Sequence, residues 1–362
     1  MKAVLVGVGQ AGGKVTTALA EFDAEMGFGA VRGALAVNTA STDLDPLPID
    51  TCLIGQSRVN GHGVGGDNEL GATVMDEDVV EVLDALSGRI TAEAEAIIVV
   101  AGLGGGTGSG GSPVLVRELS RVYDVPVYAL GVLPARDEGA LYQVNAGRSL
   151  KTLIREADAT LLLDNDAWRA ADDSVEGGYE SLNRKLAKRI GLLLAAGEAT
   201  EGVGESVVDT SEVINTLGAG GIAAVGYASA LASEDPAENI TALLSTTRKA
   251  VTTGLSVPEA TNADRALLIA AGDVDRIPRK GVEKSRRWLE DETGSMEVRG
   301  GDFPLQSERL ATIVLLGGIQ RSGRVETFLE RARQAAAETE TEDRDRSDPA
   351  AAFDNEDLDG LL

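Results

Sequence analysis

Short apolar runs alternate with stretches of helical period along the first half of the chain. KAVLV (2–6) leads through a glycine turn into VTTALAEFDAEM, whose apolar positions recur at helical spacing. GALAVNT (33–39), DTCLIG (50–55), AIIVVAG (96–102), PVYALGVLP (126–134) and ATLLLDN (159–165) read as further strands. MDEDVVEVLDALSGRI (75–90) and SPVLVRELSRVY read as helices. This alternation predicts an α/β fold built on a doubly wound parallel sheet. A long helix follows, from about Tyr179 to Ala199, with Leu182, Leu186, Ile190, Leu193 and Leu194 on one stripe. Beyond it VVDTSEVINTL, ENITALLSTTRKAV, RALLIAAG, VEKSRRWLEDE, MEVRGGDF and RLATIVLLGG mix helix and strand as a second, α+β domain. The expected divisions are a first domain over 1–178, a central helix over 179–205, a second domain over 206–333 and a tail over 334–362.

Composition narrows the chemistry. The chain has 362 residues, 58 acids against 33 bases, and a formal net charge of −25. So acidic a surface repels a phosphate backbone and argues against nucleic-acid binding. One cysteine, Cys52, excludes a disulfide framework and a cysteine-rich zinc site, and one histidine, His62, excludes multi-histidine metal sites. No segment reaches the roughly 20 apolar residues of a transmembrane helix, and the first residues lack a signal-peptide cleavage pattern, so a cytoplasmic protein is expected. Eight lysines against 25 arginines, excess carboxylates and 3% aromatics suit a protein solvated in high salt. At about 1 M salt the Debye length is about 3 Å, which screens the self-repulsion. Composition shifts again from Glu338, where acids dominate and there are few apolar residues until Leu358, Leu361 and Leu362. Such a tail is expected to be disordered. Its closing LDGLL reads either as a docking motif for an adaptor or as the end of a solubilising segment.

Two glycine loops carry the chemistry. Gly7-Val8-Gly9-Gln10-Ala11-Gly12 fits GxGxxG between a strand and a helix, where glycines let the backbone approach phosphate oxygens. A dinucleotide site also wants a carboxylate at the end of the second strand, and Asn38-Thr39 stands there instead, which disfavours an NAD-type oxidoreductase. The GxxxxGK[ST] phosphate loop fails as well, because Val15 follows Gly13-Lys14. The second loop, Gly104-Gly105-Gly106-Thr107-Gly108-Ser109-Gly110, follows the apolar strand AIIVVAG. Its unobstructed N–H groups make a nest for a di- or triphosphate, and Thr107 and Ser109 add hydroxyls.

Through GGGTGSG and GQAGGK the chain resembles the tubulin/FtsZ superfamily of GTPases, and most closely its archaeal CetZ group, associated with cell shape. The resemblance covers roughly residues 1–330. It implies that GTP or GDP is held by the first domain, with Mg²⁺ expected beside the phosphates and no metal ligands assigned. It places Gln10, Ala11, Gly12, Gly13 and Lys14 at the α/β phosphates. It places Gly105, Gly106, Thr107 and Gly108 beneath the β/γ phosphates, and Gly65 and Gly66 at the γ-phosphate sensor, with Asp67 or its neighbours near a cation. His62 is expected just outside. Glu138 corresponds to a ribose-binding glutamate, and Tyr142 replaces an arginine common in bacterial relatives. Asn165, in LLLDNDAW, and Asn183, in YESLN, resemble the two asparagines that read guanine. Read locally, either could be a helix cap or a surface residue.

Val207-Val208-Asp209-Thr210-Ser211-Glu212-Val213 resembles the family's catalytic loop NxDxxD, which enters the pocket of the next subunit. Locally, Asp209 and Glu212 make an adequate N-cap and capping box. The resemblance assigns them as the acids that complete hydrolysis after head-to-tail self-assembly. Val207 in place of asparagine and Glu212 in place of aspartate are departures. They leave open a GTP-binding structural or regulatory protein with little turnover.

Overall fold

The computed structural model describes residues 1–168, 175–198, 207–260 and 262–347. The first half runs β1 (Ala3–Val8), α1 (Gly9–Met26), β2 (Val31–Asn38), α2 (Ser41–Leu44), β3 (Asp50–Leu53), α3 (Gln56–Val59) and α4 (Asn68–Leu86). It continues with β4 (Ala96–Gly102), α5 (Gly106–Val122), β5 (Val127–Leu133), α6 (Ala140–Glu156), β6 (Ala159–Asp164) and the single turn α7 (Asn165–Trp168). The long α8 (Val175–Ala196) leads into α9 (Thr210–Leu217), β7 (Ile222–Leu231), α10 (Pro236–Thr252) and β8 (Asn262–Gly272). Then come α11 (Arg279–Thr293), β9 (Glu297–Pro304), β10 (Arg309–Arg321) and α12 (Gly323–Ser347).

All strands join one mixed sheet in the order β3-β2-β1-β4-β5-β6-β7-β10-β8-β9. The first six are parallel, and β1, β5 and β6 are buried along their whole length, as expected of strands covered on both faces. The second half pairs β10 antiparallel with β7 and β8. A narrow seam links the halves, because β6 and β7 pair only through Thr160 with Ile222 and Leu161 with Ala223. One face buries residues of α4, α5, α6, α10, α11 and α12, among them Met75, Leu115, Leu150, Leu243, Val282 and Phe328. The other face buries α1, α8 and α9 through Val15, Leu19, Leu186, Ile190 and Val213. The whole predicted stripe of α8, Leu182 to Leu194, lies in that second core.

The structure departs from the pattern-based expectations at three places. Helix α5 starts at Gly106, so most of the second glycine string is helical rather than loop. Glycine is a poor helix former, but here it admits a neighbour: a Cβ on Gly110 would lie 2.0 Å from the Asn68 carbonyl oxygen of α4. Helix α4 likewise begins at Asn68 rather than near Met75, because Asp67 caps it by accepting from the Leu70 N–H at 2.9 Å. Helix α12 runs on to Ser347, into the segment expected to be disordered. The rest of the tail and residues 199–206, where the central helix was expected to end, lie outside the described residues. Pattern reading also passed over α6 and β7.

Candidate nucleotide site

A cavity of about 520 Å³ opens at the carboxyl ends of β1, β2, β4, β5 and β6, within the usual size range of small-ligand pockets. This is the edge where open α/β sheets bind ligands. Two long helices start at the cavity, α1 after Val8 and α5 after Gly105, and neither has a side-chain cap. Helices α4, α9 and α10 are capped by Asp67, Asp209 and Asp235, whereas α6 and α11, like α1 and α5, have no side-chain cap. An uncapped N-terminus leaves backbone N–H groups without partners and carries partial positive charge, a setting made for phosphate oxygens. Gly105 stands in extended backbone (φ −73°, ψ 166°), and a Cβ placed on it would meet nothing within 4 Å. That space is part of the cavity, so the glycine keeps it clear for a ligand.

From the first loop Gln10, Ala11 and Lys14 line the cavity. Gly12 and Gly13 do not. Gly12 packs against the Val100 carbonyl and Gly13 against Leu47, so both serve the seating of α1. From the second loop Gly105, Gly106, Thr107 and Gly108 all line it, as do Gly65 and Gly66. The two glycine segments are tied by the buried Asn145, whose Nδ2 donates to the carbonyls of Gly66 at 2.8 Å and Gly104 at 3.0 Å. Asp67 spends its carboxylate on the α4 cap and is absent from the cavity wall.

His62 does line the cavity, against the expectation that it lies outside, because an isolated bridge between Ala40 and His62 draws its loop over β2. The end of β2 contributes more than its missing carboxylate suggested. Asp43 lines the wall, accepting from Gln10 Nε2 at 2.9 Å and Asn38 Nδ2 at 3.1 Å. The hydroxyls of Thr39 and Thr107 lie 2.7 Å apart at the same wall.

At the other end of the cavity stand Glu138, Tyr142, Asn165, Tyr179 and Asn183. The Glu138 carboxylate accepts from the Ala135 N–H at 2.7 Å and the Tyr179 hydroxyl at 3.4 Å, and also from the Asn165 side chain. Burial pushes its pKa up, partly offset by these bonds.

Asp209 and Glu212 lie elsewhere. Asp209 caps α9, accepting from the Ser211 N–H at 2.7 Å, and its own N–H donates to Glu212 at 3.3 Å, the capping box read from the sequence. Thr210 donates to the Gly197 carbonyl at 3.2 Å, which fixes α9 to the far end of α8. From Asn183, in the cavity, to Ala196 the helix rises ~20 Å. Within one chain neither acid lines the cavity, and the end of α8 they adjoin is the one farther from it.

No group of three or more metal-ligating side chains occurs among the described residues. Magnesium needs no such group when substrate phosphates supply most of its ligands, and the Asp43 carboxylate with the two threonine hydroxyls is a donor set that suits it.

Uncapped helix ends converging on glycine loops, in a parallel sheet joined to a second β domain, define a nucleotide-binding α/β protein. Two family profiles cover most of the chain: "Tubulin/FtsZ family, GTPase domain" matches residues 2–173 and "Tubulin-like CetZ, C-terminal domain" matches 172–334. The chain belongs to the tubulin-like CetZ family of the tubulin/FtsZ GTPases. It is 67% identical to the tubulin-like protein CetZ2 of Haloferax volcanii over 362 residues, 100% of each chain. It superposes on the GTPγS-bound protofilament structure of that CetZ2 with a TM-score of 0.91, covering 94% of this chain and 100% of the other. On the GDP-bound monomer of Haloferax volcanii CetZ1, 46% identical, the TM-score is 0.86 over 93% and 100% of the two chains. The salt-adapted composition agrees with that source.

Proposed function

We propose that this protein is a cytoskeletal GTPase that stacks head to tail, and that GTP in the cavity of one subunit is hydrolysed with Asp209 and Glu212 of the next. One observation carries the reading: the cavity and the two acids sit at opposite ends of α8, ~20 Å apart along the helix, so a neighbour must supply them. The GTPγS-bound protofilament of the 67%-identical relative supports the same stacking. The α1 and α5 N-termini and Lys14 would hold the phosphates, Glu138 the ribose, and Asn165 and Asn183 the base, whose adjacent donor and acceptor an amide can match. Mg²⁺, held near Asp43, Thr39 and Thr107, would neutralise phosphate charge. The incoming acids accept hydrogen bonds from the attacking water and orient it. We place the work of the polymer in the control of cell shape in the cytoplasm.

Two half-sites make turnover depend on encounter. Phosphate release per molecule in molar KCl is expected to climb with protein concentration, and a flat specific activity over a wide range contradicts the shared site. Glu212→Ala is expected to suppress release while GTP affinity stays near wild type; equal loss of both would mark the residue as structural. A second reading, assembly with little hydrolysis, has one observation in its favour. Val207, where the family loop has asparagine, lies at a bridge with Asp302, leaving that position without an amide. Pelleting measured beside phosphate release separates the two.

A further inference from the structure

Asn165 begins the turn that follows β6, and the residues on either side of it are held from outside the first domain. Arg324, in the first turn of α12, is 4% exposed and grips Asp164, 2% exposed, with both arms of its guanidinium. Nε lies 2.6 Å from Oδ2 and Nη2 lies 2.9 Å from Oδ1. The same Nη2 reaches Asp166 Oδ2 at 3.3 Å. Asp164 Oδ1 also accepts the Asp166 N–H at 3.2 Å, so one carboxylate fixes the backbone around Asn165 and the guanidinium together. Asp166 in turn accepts the Arg136 N–H at 3.0 Å, two residues before Glu138 in the sugar-side loop. A cation in the first turn stands at the wrong end of the helix dipole, so its pairing rather than helix preference keeps it there. The first turn of α12 is itself anchored, since the Ser322 hydroxyl accepts the Val325 N–H and donates to the Pro258 carbonyl.

The structure assigns Arg324 as a positioning residue for base selection: from the second domain it sets the direction of the Asn165 amide and ties it to the Glu138 loop. A bidentate fork fixes a carboxylate in two directions, and a lysine cannot replace it there. Small errors in the placing of a recognition group are expensive, so the loss appears in discrimination among bases before it appears in phosphate binding.

This inference rests on Asn165 reading the base, and the experiment separates the two. Affinities for GDP and ADP are measured on the full chain in molar KCl by competition with a fluorescent guanine nucleotide. In Arg324→Lys the preference for GDP over ADP is expected to fall about tenfold while ADP affinity holds. Because a single change leaves a buried carboxylate poorly matched, the neutral pair Asp164→Asn with Arg324→Gln is measured as well, and the same fall is expected. Proportional weakening of both nucleotides with the preference intact means a structural role only and overturns the assignment, as does a wild-type preference in a folded pair variant. Asn165→Ala should abolish the preference. If it does not, the base-site reading fails and the inference fails with it. If it does while both Arg324 variants keep the preference, the inference alone fails.

Discussion

Two glycines of one string, five residues apart, should respond in opposite ways to a single methyl group. A Cβ on Gly110 would lie 2.0 Å from the Asn68 carbonyl oxygen and 2.7 Å from the Ala72 nitrogen, both backbone atoms of α4. Neither can swing aside, so α4 and α5 must part by more than an ångström. Overpacking of this kind costs about 1–3 kcal/mol, and the severity of the overlap points to the upper end. Alanine gains back ~1 kcal/mol of helix preference. Gly110→Ala is therefore expected to lose ~2 kcal/mol, or about 3 °C in melting temperature for a chain of this size. Gly105→Ala meets nothing within 4 Å and keeps an ordinary extended backbone, so the melting temperature should hold or rise slightly. Its methyl fills cavity space over the α5 N-terminus. Losing even one hydrogen bond from there to a charged phosphate, worth about 1.5–3 kcal/mol, should weaken GDP by tenfold or more. Thermal unfolding and fluorescent-nucleotide titration in molar KCl measure both variants. A Gly105→Ala protein that binds GDP like wild type would show that phosphates do not lie over that turn. A Gly110→Ala protein of unchanged stability would refute the packing argument.

Burial raises the Glu138 pKa, so nucleotide affinity should begin to fall on acidification above the usual glutamate range, and Glu138→Gln should flatten that fall; identical pH profiles would discount the carboxylate. The folded chain holds this proton to higher pH than the unfolded chain. Its contribution to stability is thus full below the ordinary glutamate value and lost as pH rises through the raised one, and Glu138→Gln should show a shallower decline in unfolding experiments. Burial, followed by Glu81 and Asp78, pushes the Cys52 thiol up to about 11. At pH 8 alkylation of the native protein should run roughly a hundredfold slower than that of an unshifted thiol, and recover on unfolding. A rate equal to that of a small thiol would count against the burial.

Much of the parallel half was open to the eye in sequence, because strands buried on both faces are written as continuous apolar runs, as in AIIVVAG and ATLLLD. The glycine strings could be located because few other segments tolerate such density. What they do individually could not, since Gly105 faces empty space and Gly110 another helix, and only the approach of α4 separates them. Asn38, Thr39 and Asp43 went unrecognised as wall residues because their role depends on where α2 folds relative to β1 and β4. Asn145 and Arg324 carry no local signal: one bridges two loops from the middle of a helix, and the other meets an aspartate 160 positions away. The capping box at Asp209 and Glu212 was legible as local structure, while its distance from the cavity needed the length of α8.

The seam between β6 and β7 has a mechanical corollary. Two residue pairs join a six-stranded plate to a four-stranded one, whereas each plate is laced internally by ladders several pairs long. Torsion applied across the molecule meets few backbone bonds at that joint, and the two apolar cores, which run across it on either face of the sheet, carry most of the resistance. Arg324 crosses the same joint as a rivet, so its grip on Asp164 sets how freely the plates can flex against each other.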